Sequence, residues 1–369
     1  MIHFISLGLL FIAWILCHVD ALASNLRMSV SGRALVIDGS DSSIGRIPMG
    51  IDIAKSLRLS DPDLEVTVLR DLSCGNGDST SAEIPSGVSV VQSPKELLAS
   101  GFGDYLDPSY DFLVDNWSSN VEKATQILDL GKQCQIERIV HLSPAMNLYK
   151  TTEINPIPEN CEIHSECKNA NIEAMFIGSD VPFTIIRWQY VHGGEKSPLL
   201  EYLIERIARD MHVPLPLHGE QLLSMTHVSD LAGLVSSCMR ESAAKNEIFN
   251  CGGEKYITYQ GLCSMVKDIL DTSDDVKYLY FEPKLFDVPT KSVAYPFGRS
   301  SSLLSTSKAL SKLDWKPSHN FEIGLKEEVN YILRNRDTAS TPDPRAFIKD
   351  MEIIASKDVD FTLDYPFLS

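Results

Sequence analysis

The sequence predicts an α/β protein in which a doubly wound, Rossmann-type parallel sheet is followed by a smaller C-terminal α/β lobe. From residue 33 onward, short runs rich in β-branched residues alternate with helix-length segments, which is typical of right-handed βαβ units. These runs are almost continuously hydrophobic, so we expect helices on both faces of the sheet. A chain of 369 residues, 44% of them hydrophobic, can bury such a core.

The strands of the predicted sheet follow one another along the first half of the chain. They are RALVID (33–38), EVTVLR (65–70), GVSVVQ (87–92), YDFLVD (110–115), IERIVHLS (136–143) and VPFTIIRW (181–188). The segment 75–87 is rich in Gly, Ser and Asp and is predicted to be a surface loop.

The pattern after residue 188 predicts further helices and one strand. An amphipathic helix is expected at PLLEYLIERIARDMHV, and the segment 254–260 leads into a helix that runs to about residue 270. The strand VKYLYFE and the helices LLSTSKALSKL and FEIGLKEEVNYILRN follow. We therefore predict a Rossmann-type domain at 33–192, to which 225–252 returns, a smaller lobe at 193–224 and 253–335, and a loosely packed tail at 336–369.

The N-terminus predicts a targeting leader. The apolar run from Phe4 to Cys17 is short for a membrane span and is followed by Ala21-Leu22-Ala23, so residues 1–23 are predicted to be a cleavable signal peptide. A short membrane anchor is the alternative, because the usual basic segment is missing. Residues 24–33 carry two arginines, three serines and no acid, so 24–32 is predicted to be transit-like. Such a bipartite leader predicts the plastid stroma, with the secretory pathway as the alternative, and no stable membrane span after cleavage.

Charge and cysteine usage restrict the partners and the compartment. The formal net charge of −17 repels polyanions at long range, so nucleic-acid binding would need a local basic patch or a metal ion. Of the eight cysteines, Cys17 lies in the leader, which leaves an odd number without paired spacing. A disulfide framework is therefore not expected, and a reducing compartment is favoured.

The first strand leads into GSDSSIGR, which predicts a phosphate-binding turn. One glycine permits the tight turn and another permits close packing of the next helix, whose amides would face a phosphate. A serine replaces the middle glycine of the pattern, so dinucleotide binding is expected to be weakened. The residues predicted to contact a cofactor here are Gly39, Ser40, Ser42, Ile44 and Gly45.

The end of the second strand carries Arg70 and Asp71. An arginine at this place suits the 2′-phosphate of NADP, whereas an acid suits the free 2′-hydroxyl of NAD. We predict that Arg70 contacts the cofactor; a solvated charge pair at a strand end is the alternative.

Several motifs together resemble the extended short-chain dehydrogenase/reductase superfamily, which includes NAD-dependent epimerases and dehydratases. They are GSDSSIG, THVSDLA (226–232) and TSKALSKLDWKP (306–317). The C-terminal half is similar to the chloroplast stem-loop-binding protein family in EIFNCGGEKYITYQGL (247–262), YFEPKLFDV (280–288), YPFG (295–298) and LDWKP (313–317).

The resemblance implies a catalytic site that is altered here. Active members use a tyrosine to transfer a proton, a lysine four residues later and a serine that polarises the carbonyl. In this chain His164 stands at the tyrosine position, while Lys168 and Ser143 are retained, and we expect His164 and Lys168 to lie on one helical turn. Pro144, which follows Ser143, departs from the pattern. The segment IIRWQYVHGG also departs from Arg-Pro-x-x-x-Tyr-Gly-Pro, with Trp188 for proline and His192 for tyrosine, and these changes argue against ordinary hydride transfer.

Three functions remain open from the sequence. The resemblance favours a plastid RNA-binding protein on an NAD(P)-binding scaffold, with weak metal-assisted endonuclease activity and a divalent metal as further implications. A basic rim would be formed by Lys255, Lys284, Lys291 and Arg299. The alternative is an NADP-dependent nucleotide-sugar epimerase or reductase that uses His164 and Lys168. The third is a non-catalytic scaffold for partner proteins or a homo-oligomer. No Cys-x-x-Cys or helical histidine pair predicts a metal site.

Overall fold

A computed structural model describes residues 32–39, 46–71, 84, 86–93, 109–146, 148–150, 154–194, 197–282, 297–298, 300–335 and 350. The predicted signal peptide, and the predicted transit-like segment apart from Gly32, lie outside these residues. Among the helices that the structure describes, none is long and apolar enough to cross a membrane.

The described strands form one large sheet and three small ones. The strands are β1 (Gly32–Asp38), β2 (Leu64–Asp71), β3 (Val88–Ser93), β4 (Phe112–Asn116), β5 (Arg138–Pro144), β6 (Phe183–Trp188), β7 (Val191–His192), β8 (Val213–Pro216), β9 (Leu222–Ser224), β10 (Thr226–His227), β11 (Glu247–Cys251), β12 (Tyr256–Thr258) and β13 (Tyr278–Phe281). The large sheet has the order β11-β6-β5-β4-β1-β2-β3, and all of its strand pairs are parallel. The strand order reverses between β1 and β4, which is the switch point of a doubly wound fold.

The described α-helices are α1 (Gly50–Ser60), α2 (Val121–Gln133), α3 (Lys168–Ile177), α4 (Pro198–Ile207), α5 (Val228–Arg240), α6 (Tyr259–Leu270), α7 (Ser307–Lys312) and α8 (Phe321–Asn335). Four of them cover the two faces of the large sheet. Apolar side chains of α1 and α5 pack on one face, and those of α2 and α3 pack on the other. Because β4, β5 and β6 are buried along their whole length, their sequences are hydrophobic without alternation. The predicted Rossmann-type class is confirmed.

The smaller lobe has its own core. Side chains from α4, α6 and α8 meet in one apolar cluster with residues of β8, β9 and β13. β8 pairs with β13 in parallel, and β9 pairs with β12 in antiparallel orientation. The hydroxyl of Thr258 accepts a hydrogen bond from Gly261 N (2.9 Å) and caps α6, which explains why that helix begins at Tyr259.

Several local predictions differ from the structure. His164 and Lys168 were expected on one helical turn, but α3 begins at Lys168, so His164 lies before the helix. The predicted helix LLSTSKALSKL is limited to α7, because the backbone of Leu303 and Ser305 pairs with Ile157.

One residue of the predicted tail is firmly packed. Asp350 is buried, and its Oδ2 lies 2.7 Å from Nε of Arg206 on α4, a side chain that is also buried. The expectation of loose packing is therefore wrong for this residue. The other residues of 336–369 lie outside the described part of the chain.

Candidate functional site

The carboxyl ends of β1 and β4 meet at the switch point of the sheet, where open α/β folds bind their ligands. Gly39 follows β1 directly, and its amide donates to the carbonyl of Asn116 at the end of β4 (3.1 Å). The other residues predicted for the phosphate turn, Ser40, Ser42, Ile44 and Gly45, lie outside the described residues.

A buried carboxylate occupies the start of the first long helix. Asp38 Oδ1 accepts hydrogen bonds from Met49 N (3.1 Å) and from Asn116 Nδ2 (2.8 Å). Met49 immediately precedes α1, so its amide is one of the donors that a dinucleotide phosphate would use at a helix N-terminus. A Cβ atom on Gly50 would lie 2.5 Å from Cβ of Asp38, which explains the glycine at this close approach. The Met49 amide is therefore already bonded to a side chain of the protein itself.

The segment after β4 is held by a second polar network. Arg46 is buried, and its guanidinium donates to Asn116 Oδ1 (3.0 Å) and to the carbonyl of Ser118 (2.9 Å). Asp115 accepts hydrogen bonds from the amides of Trp117 and Ser118, and its Oδ2 lies 2.8 Å from His141 Nδ1. Burial opposes ionisation, but His141 and the charge of Arg46 hold the pKa of Asp115 well below its usual range.

At the end of β2, Asp71 is buried and Arg70 is partly buried, so the alternative of a solvated pair does not describe this strand end. Trp117 Nε1 donates to Asp71 Oδ2 (2.6 Å), and Lys123 Nζ lies 3.7 Å from the same oxygen. Lys123 also lies over the indole ring of Trp117, 4.5 Å from its centroid. Arg70 Nε is 3.8 Å from Asp38 Oδ2, so Arg70 lies beside the end of β1. Arg70 and Asp71 thus both contact side chains of the protein itself, and the predicted contact of Arg70 with a cofactor stays a prediction.

Ser143 belongs to a buried ionic network. Its hydroxyl donates to Glu173 Oε1 (2.7 Å), and Glu173 Oε2 accepts from Arg187 Nη2 (2.7 Å). Arg187 Nη1 donates to the Tyr149 hydroxyl (2.9 Å), which donates in turn to Asn250 Oδ1 (2.6 Å). Burial raises the pKa of Tyr149 despite the opposing charge of Arg187, so the phenol stays protonated at neutral pH. Glu173 was missed in the sequence because nothing in its spacing indicates that Arg187 reaches it.

The predicted proton carrier lies apart from this network. His164 belongs to the loop before α3, its side chain is 43% exposed, and its Nδ1 lies 3.6 Å from Oε1 of Glu166. A turn in which Cys167 N donates to His164 O (3.0 Å) separates His164 from Lys168, the first residue of α3. His164 and Lys168 therefore do not share one helical turn, contrary to the prediction.

Two further predictions can be compared with the described residues. Lys255, one member of the predicted basic rim, forms an ion pair with Glu322, while Lys284, Lys291 and Arg299 lie outside the described residues. Among the residues that the structure describes, no cluster of three or more His, Cys, Asp or Glu side chains could hold a metal ion.

Comparisons with known proteins agree with this architecture. No protein-family model matches the chain. Among solved structures, a dTDP-glucose 4,6-dehydratase from Bacillus anthracis in complex with NAD superposes with a TM-score of 0.64 at 17% identity, covering 83% of this chain and 98% of that one. A UDP-glucose 4-epimerase from Thermotoga maritima with UDP-glucose gives a TM-score of 0.62 at 18% identity, covering 82% and 99%. The chain has the extended short-chain dehydrogenase/reductase fold.

In sequence, the chain is similar to the chloroplast stem-loop binding protein of 41 kDa b from Arabidopsis thaliana. It is 27% identical over 225 residues, which are 60% of this chain and 58% of that protein, so the match spans less than two thirds of the relative. A putative UDP-glucose 4-epimerase from Methanocaldococcus jannaschii is 22% identical over 234 residues, covering 59% of this chain and 70% of the relative. The predicted resemblance to the stem-loop-binding protein and the predicted resemblance to the epimerases are both confirmed.

Proposed function

We propose that the chain is a plastid RNA-binding protein that retains an NAD(P)-binding type of scaffold but does not carry out ordinary hydride transfer. One observation carries the second half of this proposal. The hydroxyl of Ser143, which should polarise a substrate carbonyl, is buried and donates to Glu173 within the network of Arg187.

The requirements of hydride transfer show why this contact matters. A carbonyl substrate needs a hydroxyl donor and a proton carrier at hydrogen-bonding distance from its oxygen. The Ser143 hydroxyl donates to the Glu173 carboxylate, which also neutralises the buried Arg187 guanidinium. If the hydroxyl turned to a substrate, Glu173 would lose one of its hydrogen-bond donors. The imidazole of His164 lies in a loop outside this network. The chemistry of a reductase or epimerase is therefore not supported by these residues.

The contacts around Asp38 support weak or absent dinucleotide binding. In nucleotide-binding relatives of this fold, backbone amides at the first helix bind the pyrophosphate. Here the Met49 amide and the Asn116 side chain both bind the Asp38 carboxylate. A dinucleotide would have to displace that carboxylate or bind beside its negative charge.

The RNA half of the proposal rests on likeness to the Arabidopsis stem-loop binding protein, and so does the plastid location. The net charge of −17 excludes strong attraction of RNA by the overall field, so recognition must depend on local contacts. Weak metal-assisted endonuclease activity is the finer part of this proposal. A divalent cation for that reaction would be bound jointly by the protein and by RNA phosphates.

Binding of a stem-loop RNA in the presence of heparin tests the proposal directly. Fluorescence anisotropy with a labelled hairpin, at near-physiological salt, should show binding that excess heparin does not abolish. The matched measurement is calorimetry with NAD and NADP, for which little or no binding is expected. Affinity for the hairpin no greater than for heparin would contradict the RNA assignment, and measurable oxidation of NADPH with a sugar nucleotide would contradict the absence of redox chemistry.

An NADP-dependent nucleotide-sugar epimerase or reductase is the second candidate. It is favoured by the location of Arg70 beside the end of β1 and by the structural likeness to enzymes that bind NAD and UDP-sugars. In this case His164 would transfer the proton and Lys168 would hold the ribose. Tight NADP binding that is lost in Lys168→Ala, with the fold intact by circular dichroism, would favour this candidate over RNA binding.

A further inference from the structure

A pocket lies where β7 and β10 meet the segment that leads into α8. Its volume is about 220 Å³. Three histidines from distant parts of the sequence line it, together with aromatic, apolar and basic side chains. The residues used below are His192, His227, His319, Phe321 and Lys255.

The imidazole rings form an ordered aromatic group. The rings of His227 and His319 are stacked, with centroids 3.4 Å apart and planes inclined by 6°. The ring of His192 meets His227 edge-on at 5.1 Å, and Phe321 meets His192 edge-on at 5.8 Å. His192 is buried whereas His319 is exposed, so the stack runs from the protein interior to the surface. The face of His319 that is turned away from His227 is the outer end of this stack.

The ring of His227, which contacts both other imidazoles, is uncharged at neutral pH. Burial, reinforced by His192 and His319, lowers the pKa of His227 to about 3. Its Nδ1 accepts a hydrogen bond from Ser229 N (3.2 Å), so the ring proton is assigned to Nε2. His192 Nδ1 is buried without a hydrogen-bond partner, and the nearest acid, Glu328, has its Oε2 at 3.4 Å. The pocket thus presents packed imidazole rings, while His192 Nδ1 lies beside Glu328, which does not line the pocket.

We propose that this pocket binds one nucleobase, stacked on the outer face of His319, with the adjoining phosphate near Lys255. Unpaired bases are commonly bound by stacking on aromatic side chains, histidine included. The volume lies below the range of about 300–1,000 Å³ for drug-sized ligands, so the pocket suits a single base and not a dinucleotide.

The charges at the mouth determine which part of a nucleotide can enter. Lys255 forms an ion pair with Glu322, and both side chains are about half exposed, so a phosphate can replace the carboxylate without removing a buried partner. Two acids, the exposed Glu254 and the buried Asp230, also line the pocket and would repel a phosphate placed inside it. An uncharged base therefore enters, and its phosphate remains outside. The base comes either from the loop of a hairpin RNA, which rests on the proposed function, or from a free nucleotide, which does not.

A fluorescent adenine analogue provides the test. A hairpin RNA carrying the analogue in its loop, and AMP as a free nucleotide, are titrated with the full-length protein. Stacking should quench the analogue, and His319→Ala should weaken binding about 10-fold, within the range for loss of one stacked base. His319→Phe should retain both the quenching and the affinity, since it keeps an aromatic face. His218→Ala, at an exposed histidine outside the pocket, is the matched control and should bind as the unmodified protein does.

The outcomes separate the pocket from the proposed function. Hairpin binding that depends on an aromatic residue at 319 supports both. Hairpin binding that is unchanged in His319→Ala overturns the pocket and leaves RNA binding in place. Binding of AMP alone, lost in His319→Ala, supports the pocket with a free nucleotide as its ligand and contradicts RNA binding. Absence of binding to both ligands overturns both proposals.

Discussion

Replacement of Arg187 by methionine should destabilise the protein strongly. Arg187 and Glu173 have side chains that are 3% and 1% exposed, and the pair is joined by contacts of 2.7, 3.1 and 3.3 Å. Arg187→Met leaves the Glu173 carboxylate buried without its counter-ion and removes a donor from Tyr149. Loss of one partner of a buried ion pair costs about 3–5 kcal/mol of unfolding free energy.

Urea unfolding, followed by circular dichroism and by tryptophan fluorescence, measures this cost. Glu173→Gln in the Arg187→Met background removes the isolated charge, so the double variant should recover roughly 0.5–3 kcal/mol relative to the sum of the single variants. Lys150→Met is the control, because Lys150 and Glu162 form an exposed ion pair worth about 0–1 kcal/mol. A cost for Arg187→Met no greater than that of Lys150→Met would refute the structural role of the network. If Arg187→Met does not fold, Ser143→Ala, which removes a single donor to Glu173, should still cost about 1–3 kcal/mol.

Three further perturbations test other contacts. The fold lowers the pKa of His227 to about 3, against about 6.5 in the unfolded chain. The unfolded chain therefore binds more protons below pH 6.5, and the folded state loses stability toward pH 3 by at most about 1.4 kcal/mol per pH unit. His227→Gln should flatten the pH dependence of the urea midpoint, and an unchanged profile would contradict this. Asp350→Asn should cost about 3–5 kcal/mol by leaving Arg206 without its buried carboxylate, and a thermal midpoint equal to that of the unmodified protein would be inconsistent with the pair. Trp117→Phe removes the donor to Asp71 and should cost about 1–3 kcal/mol in chemical unfolding, whereas a neutral result would show that water replaces the indole.

The sequence predicted the strands best where a continuous hydrophobic run corresponds to a strand that is buried on both faces. Strands such as β4 and β5 are buried along their length, so their hydrophobic runs predicted that they exist and pair in parallel, although both strands begin two residues later than predicted. The location of Arg70 near the end of β2 followed from the same pattern.

The contacts that decide function depend on tertiary register and could not be predicted. The start of α1 at Gly50 is coupled to Asp38, whose carboxylate meets Met49 only after β1 and α1 are packed. Likewise, Ser143 reaches Glu173 because α3 packs against β5 and β6, and sequence spacing gives no distance across that interface. The histidine pocket brings His192 together with His319, which lies more than a hundred residues further along the sequence. No periodicity in the sequence indicates that these side chains meet.

The carboxylate of Asp38 has a consequence for how the protein responds to metabolism. Proteins stabilised by a bound dinucleotide gain stability with the ratio of free ligand to its dissociation constant, so their survival follows the supply of that ligand. Here the negative group at the first helix is a covalent part of the polypeptide and is present at every concentration of nicotinamide nucleotide. Under the proposed function, NAD or NADP should therefore leave the thermal midpoint of the protein unchanged, and a midpoint that rises with either nucleotide would contradict the proposal.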